Sequence, residues 1–256
     1  MIRIFYFFTI LIISSFSLFN CSSKVVNKNK EPIDKILSKT KKLFYKEKFY
    51  KVITYLEPRI NRYNGEKKLD SLMYFLGIAY LEEKEYEKAE NEFRKITQIF
   101  RESPLRPYAQ YYLAQVYMRR LPDPQRDQTI TKMALRELMF FTELYPDHPL
   151  ISLVKEDIRI CRNNLAQKAY LNGYFYYKTK EYSAAKIYFL DVINEYFDTK
   201  WVDNATAKLV LCYIYLDDID NARKYYELLK TLKLDKQSKQ DYKKIRLLIK
   251  QKGIKL

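Results

Sequence analysis

Apolar residues in this chain recur at helical spacing, in paired blocks separated by short polar breaks. The sharpest pair lies between Asp70 and Ser103, where Leu76, Gly77 and Tyr80 share a face of one predicted helix and Ala89 and Phe93 a face of the next. The same offsets return three times: at Leu113, Ala114 and Tyr117 with Ala134, Leu138 and Phe141; at Gly173 and Tyr176 with Ala185, Phe189 and Val192; and at Leu209 and Tyr213 with Ala222, Tyr226 and Leu229. A weaker copy, Leu43 with Val52 and Leu56, precedes them and lacks a small residue where the others have alanine. Ser103-Pro104, Pro146 to Pro149 and Asp198-Thr199 end second helices, and an insertion from Pro122 to Gln128 parts the helices of the third pair. The pattern predicts an all-α superhelix of five hairpins, over about 33–66, 70–103, 107–149, 166–199 and 203–235. A lysine-rich helix within the segment 236–256, with Tyr242, Ile245, Leu248 and Ile249 on one side, is expected to cap the last hairpin; a membrane or acidic-partner contact is its alternative use.

This cadence resembles the tetratricopeptide repeat, whose period is roughly 34 residues. Its mechanical basis is a division of labour by size. Gly77, Gly173, Ala89, Ala134, Ala185 and Ala222 let the helices of a hairpin approach closely, while Tyr80, Tyr117, Tyr176 and Phe93 fill the groove to the next hairpin. A lone hairpin leaves an apolar face bare, so stacking is what buries the core. First helices line the concave side, and the register turns Tyr74, Ile78, Tyr108, Tyr111 and Gln115 inward, joined by Phe44 and Tyr45. An aromatic wall with scattered amides suits an extended peptide; the competing reading packs several of these rings between hairpins.

The amino terminus sets the compartment. Arg3 precedes an apolar run from Ile4 to Phe19, then Asn20, Cys21 and a Lys/Asn-rich stretch, so residues 1–20 read as a signal peptide and 21–32 as a tether. Leu18, three residues before Cys21, makes this similar to a bacterial lipoprotein signal, of the relaxed kind found in spirochaetes. Lipidation at Cys21 is the expectation, with an uncleaved anchor or a secretory peptide cut nearby as alternatives. Three acyl chains at about 0.8 kcal/mol per buried methylene would hold the chain firmly. Ser22 stands where an aspartate would resemble an inner-membrane retention signal, so the outer membrane, facing the periplasm, is the expected location.

Charge and chemistry narrow the picture further. The net charge is +16, but from Lys230 to Leu256 ten Lys or Arg meet only two acids, so half the excess sits in the last stretch. With four glycines, phosphate-cradling loops and glycine-dependent turns have little to build on. His148 is the sole histidine; it reads as a surface-loop side chain, and no zinc site is expected. Neighbouring acids such as Glu82 with Glu83 and Asp217 with Asp218 point in different directions and read as solvated. Cys161 and Cys212 permit a disulfide but read as buried free thiols. No catalysis, metal or cofactor is expected, and export argues against a nucleic-acid partner.

The run Pro122-Asp123-Pro124-Gln125-Arg126-Asp127-Gln128, the following Ala134-Leu135, and Leu144-Tyr145-Pro146-Asp147-His148-Pro149 resemble the third repeat of the BamD (ComL-like) outer-membrane assembly lipoproteins. Asn164-Leu165-Ala166, Tyr176-Tyr177 and Tyr182-Ser183-Ala184-Ala185 are similar to that family's fourth repeat, whereas Tyr188 stands where the family commonly has arginine and Phe197 and Asn64 where it has proline. The resemblance implies a part in assembling β-barrel proteins into the outer membrane. A BamA-like barrel-bearing subunit would dock on the C-terminal repeats, at Tyr170, Tyr174, Tyr177, Lys186 and Tyr188. Unfolded barrel substrates would enter the N-terminal groove, with other assembly lipoproteins as further partners. A repeat lipoprotein scaffolding other envelope or peptidoglycan machinery is the alternative.

Overall fold

A computed structural model of the protein describes residues 30–254. Cys21 and the segment read as a signal peptide lie outside the described residues, as does most of the tether. Eleven α-helices follow one another among the described residues. They are α1 (Ile33–Phe44), α2 (Phe49–Leu56), α3 (Leu69–Glu82), α4 (Tyr86–Ile99), α5 (Arg106–Met118), α6 (Thr129–Leu144), α7 (Ile151–Lys178), α8 (Tyr182–Glu195), α9 (Val202–Tyr215), α10 (Ile219–Thr231) and α11 (Lys236–Lys252). Each packs on its neighbour in sequence from α1 to α10, giving five stacked hairpins, and α11 lies against α9. None of these helices is long and apolar enough to cross a membrane. The end of the tether is fastened down: the Tyr63 hydroxyl donates to the Glu31 carbonyl at 2.7 Å, and Lys30 pairs with Glu66.

The close approach expected at the small residues is real. A Cβ on Gly77 would stand 2.8 Å from the Phe93 ring, and one on Gly173 would stand 2.8 Å from the Phe189 ring. Both rings are fully buried, as are Ala89, Ala134, Ala185 and Ala222. Glycine here serves distance and not turning. The tight turns go instead through charged residues: Glu47, Lys84, Lys180 and Asp217 adopt left-handed backbone between the helices of the first, second, fourth and fifth hairpins. In each turn the next amide reaches back to close the helix, Lys48 to Leu43, Glu85 to Tyr80, Glu181 to Tyr176 and Asp218 to Tyr213 at 2.8–3.1 Å. That 6→1 bond satisfies orphan carbonyls and offsets the left-handed strain, so a chain with few glycines still turns sharply. The third hairpin, interrupted by its insertion, has no such turn.

Helix α7 departs from the even cadence. At 28 residues it is about 42 Å long. It packs on both α6 and α8, its amino-terminal half sharing the first apolar core and its carboxy-terminal half the second, so the fourth hairpin's first helix begins well before residue 166. The apolar interior divides along it: one core runs from Ile36 to Cys161 and another from Ala166 to Ile245. Among the described residues, both are built from residues after the tether. The thiols of Cys161 and Cys212 are free and buried, and burial pushes both up to about 12, which leaves them inert as nucleophiles.

Candidate functional site

The first helices of the N-terminal hairpins bring rings into one unbroken file. Phe44 of α1 meets Phe75 of α3 at 4.9 Å, Phe75 meets Tyr74 at 6.0 Å, and Tyr74 meets Tyr112 of α5 at 5.8 Å. Tyr112 leads to Tyr111 at 5.7 Å, Tyr111 to Phe141 at 6.5 Å, Phe141 to His148 at 5.5 Å and His148 to Tyr108 at 5.1 Å. Tyr45 joins at the other end, 6.1 Å from Phe44. Most contacts are edge-on, the geometry that ring quadrupoles favour. Of the expected groove residues, Phe44, Tyr45, Tyr74, Tyr108 and Tyr111 therefore belong to one chain of rings. Tyr45 is 75% exposed and Tyr108 38% exposed, so both ends of the file are open to a partner.

Two expected groove residues behave differently. Ile78 is only 6% exposed, because α3 is packed by α1, α2, α4 and α5 and little of its circumference stays open. It supports the wall from within instead of lining it. Gln115 donates through Nε2 to Asp157 on α7 at 2.6 Å, and Tyr111 stands close enough to the same carboxylate to be raised by its charge. His148 also differs from the surface loop side chain expected: it is half-buried among Tyr108, Phe141 and Tyr145, and its Nδ1 accepts from the Leu150 amide at 3.2 Å, holding the entry to α7. Sequence reasoning missed Phe75, Tyr112 and Asp157. Phe75 and Tyr112 are immediate neighbours of the chosen Tyr74 and Tyr111, a position that a strict inward face excludes.

Burial sets the electrostatics of this wall. Tyr74 is pushed well up by desolvation and by its neighbour Tyr112, and Tyr111 is raised to about 12 by desolvation and the Asp157 charge. Both stay neutral donors across the physiological range. Asp157 is raised by desolvation, against the hydrogen bond from Gln115 and the nearby Tyr111 hydroxyl, which favour its ionised form. A carboxyl raised on folding holds its proton more tightly in the native state, so its contribution is full below the ordinary value of 3.8 and lost as pH rises through the higher folded value. Asp157→Asn, which keeps an acceptor without the buried charge, is therefore expected to raise the melting temperature at pH 7 and to leave it unchanged near pH 3. A pH series of thermal melts reads this directly, and an equal shift at both ends would remove desolvation as the cause.

The five residues expected at the C-terminal docking surface do not form one patch. Tyr170, Tyr174 and Tyr177 make a column on α7, with successive rings stacked 6.1 and 6.4 Å apart. Trp201 lies 5.1 Å from Tyr170, and the Lys208 ammonium sits over Tyr174 and Tyr177 at 5.3 and 4.8 Å. Helices α9 and α11 cover this column, so Tyr170 and Tyr177 are buried and Tyr174 half-buried. Lys186 and Tyr188 stand apart on α8, Lys186 over Tyr213 at 5.6 Å and Tyr188 stacked on Tyr176 at 5.5 Å.

The family described as outer membrane lipoprotein YfiO matches residues 30–228. The chain is also similar to the outer membrane protein assembly factor BamD of Caulobacter vibrioides, 26% identical over 148 residues, which is 58% of this chain and 48% of that protein. The match thus spans about half the length of that relative.

Proposed function

The chain belongs to the YfiO family of outer membrane lipoproteins, and from that premise we propose that it is a lipid-anchored component of the machinery that assembles β-barrel proteins into the outer membrane. Its relative's name points to that process, and the N-terminal wall has the chemistry for it. The carrying observation is the continuous file of rings from Tyr45 through Tyr74 and Tyr111 to Tyr108, with the Gln115–Asp157 pair beside it. Such a wall favours an extended, aromatic-bearing segment of an unfolded barrel protein, which presents rings to stack and a main chain to hydrogen-bond. On this reading Cys21 carries the anchor. Tyr174, Tyr188 and Lys186, the candidates that keep exposed area in the C-terminal repeats, contribute to docking a BamA-like subunit.

The test uses a synthetic peptide copying the final strand of an outer-membrane barrel and ending in phenylalanine. Its affinity for the protein is expected to fall about tenfold in Tyr45→Ala/Tyr108→Ala, since stacking on a ring at either end of the file is worth roughly 0.5–1.5 kcal/mol beyond the area it buries. Tyr188→Ala should leave it unchanged. Unaltered peptide binding in the double variant would remove the groove from substrate recognition, while co-purification of the barrel subunit with Tyr188→Ala reads the other surface.

A further inference from the structure

Helix α11 divides its charges between two sides: Lys244 and Lys252 reach inward, to the Tyr177 hydroxyl and the Ile214 carbonyl, on the side that also holds its acid. Its single internal carboxylate, Asp241, is buried against α9, where Lys208 pairs with it at 2.9 Å. The opposite arc carries Lys236, Lys239, Lys243, Arg246 and Lys250, at steps of three and four residues, so all five lie on one exposed face about 21 Å long. Among the described residues none of the five forms an ion pair. Leu247 projects from the same arc, 60% exposed.

The helix is also seated unlike the others. Elsewhere in the stack, the second helix of a hairpin packs directly on the first helix of the next; α11 leans on α9 and stands off from α10. The gap is bridged by the Tyr226 and Tyr242 hydroxyls, 3.2 Å apart. A groove of about 600 Å³ remains beside them, lined by Tyr226, Lys243, Arg246, Leu247, Ile249 and Lys250. Among the described residues no carboxylate lines it, and on α10 Glu227 is already paired with Lys230.

We infer that this terminal face binds the anionic phospholipid surface of a membrane. Five unpaired cations on one straight ridge need an extended anionic counterpart, and a flat bilayer surface meets all five together. Leu247, set among the cations, supplies an apolar side chain at headgroup depth, and the groove beside it gives a lipid phosphate access to Lys243, Arg246 and Lys250. Basic clusters on amphipathic helices bind anionic leaflets through such additive attraction. On the reading that Cys21 carries an acyl anchor, the contact is a second membrane attachment, at the end of the superhelix opposite α1.

The test uses a chain beginning at Ser22, which keeps every described residue of both apolar cores and lacks Cys21, so that no acyl anchor masks the contact. Co-sedimentation is measured with vesicles of phosphatidylcholine alone and with 30 mol% phosphatidylglycerol. Binding is expected only to the anionic vesicles and to be lost at high salt. Each neutralised cation should weaken partition about fivefold, so Lys239→Gln/Lys243→Gln/Arg246→Gln/Lys250→Gln should lose on the order of several hundredfold. Lys41→Gln/Lys42→Gln/Lys46→Gln/Lys51→Gln, with the same change in net charge, should lose little. Equal losses in both variants would overturn the proposal in favour of generic attraction by the +16 chain. Binding to polyglutamate but not to vesicles would overturn it in favour of an acidic polypeptide. Because all these exposed changes leave the cores untouched, equal melting temperatures verify folding. The vesicles hold no protein, so the outcome is independent of the barrel-assembly reading.

Discussion

Phe93→Ala is expected to lower the stability of the N-terminal repeats by about 3–5 kcal/mol and to reverse the sign of a second substitution, Gly77→Ala. Phe93 is fully buried, with Tyr112 stacked on it at 5.7 Å and Tyr74 at 6.4 Å, so neither neighbour can easily close the space its ring leaves. The same enclosure prevents the ring from moving away from a new methyl group at position 77, which would stand 2.8 Å from it. In the wild-type background, Gly77→Ala gains about 1 kcal/mol in helix propensity but incurs an overpacking cost of about 1–3 kcal/mol, so it destabilises on balance. Without the ring only the gain remains. Urea denaturation of the four proteins of the cycle measures both effects. Should Gly77→Ala stabilise the wild-type protein as much as the Phe93→Ala variant, the close helix approach would be refuted. Gly173 and Phe189 repeat the geometry in the second core and should repeat the result.

Lys208→Met should cost about 3–5 kcal/mol, because it leaves the buried Asp241 carboxylate without its counter-charge. The loss should be local. Helix α11 is held by Ile245 in the core, by the Lys208–Asp241 pair, and by Asp203, whose Oδ2 accepts from the Asp235 amide at 2.8 Å and from the Ser238 hydroxyl at 2.7 Å. Limited proteolysis is therefore expected to cut near Lys233–Lys236 in Lys208→Met before the rest of the chain is attacked. Lys208→Met/Asp241→Leu, which removes both charges, should recover most of the lost stability, since well-packed apolar replacements for a buried pair are often neutral or better. A loss below about 1 kcal/mol for Lys208→Met would mean that water reaches Asp241 and that the pair acts as a surface one.

Periodicity and residue size carried the large features of this molecule. The close approach at Gly77 and Gly173 could be read from spacing, because a helix places residues three and four apart on one face and only a small side chain permits it; that Phe93 and Phe189 face these glycines within their own hairpins could not, since Phe93 was assigned to the groove toward the next hairpin. That Tyr74, Tyr108 and Tyr111 belong to one group of rings was legible for the same reason. Ile78 was not, since the enclosure of α3 depends on how many other helices surround it. Nor were the left-handed turns at Glu47, Lys84, Lys180 and Asp217: the 6→1 bonds that close them depend on hairpin geometry and not on residue type. The length of α7 escaped a reading tied to a fixed period, and with it the pairing of Asp157 with Gln115. Lys208 and Asp241 each look like surface charges in a lysine-rich chain. Local sequence thus determined which faces are apolar and where helices touch closely. The stacking of distant helices decided which polar groups are enclosed together, because burial is set by everything surrounding a residue and no stretch of chain contains that information.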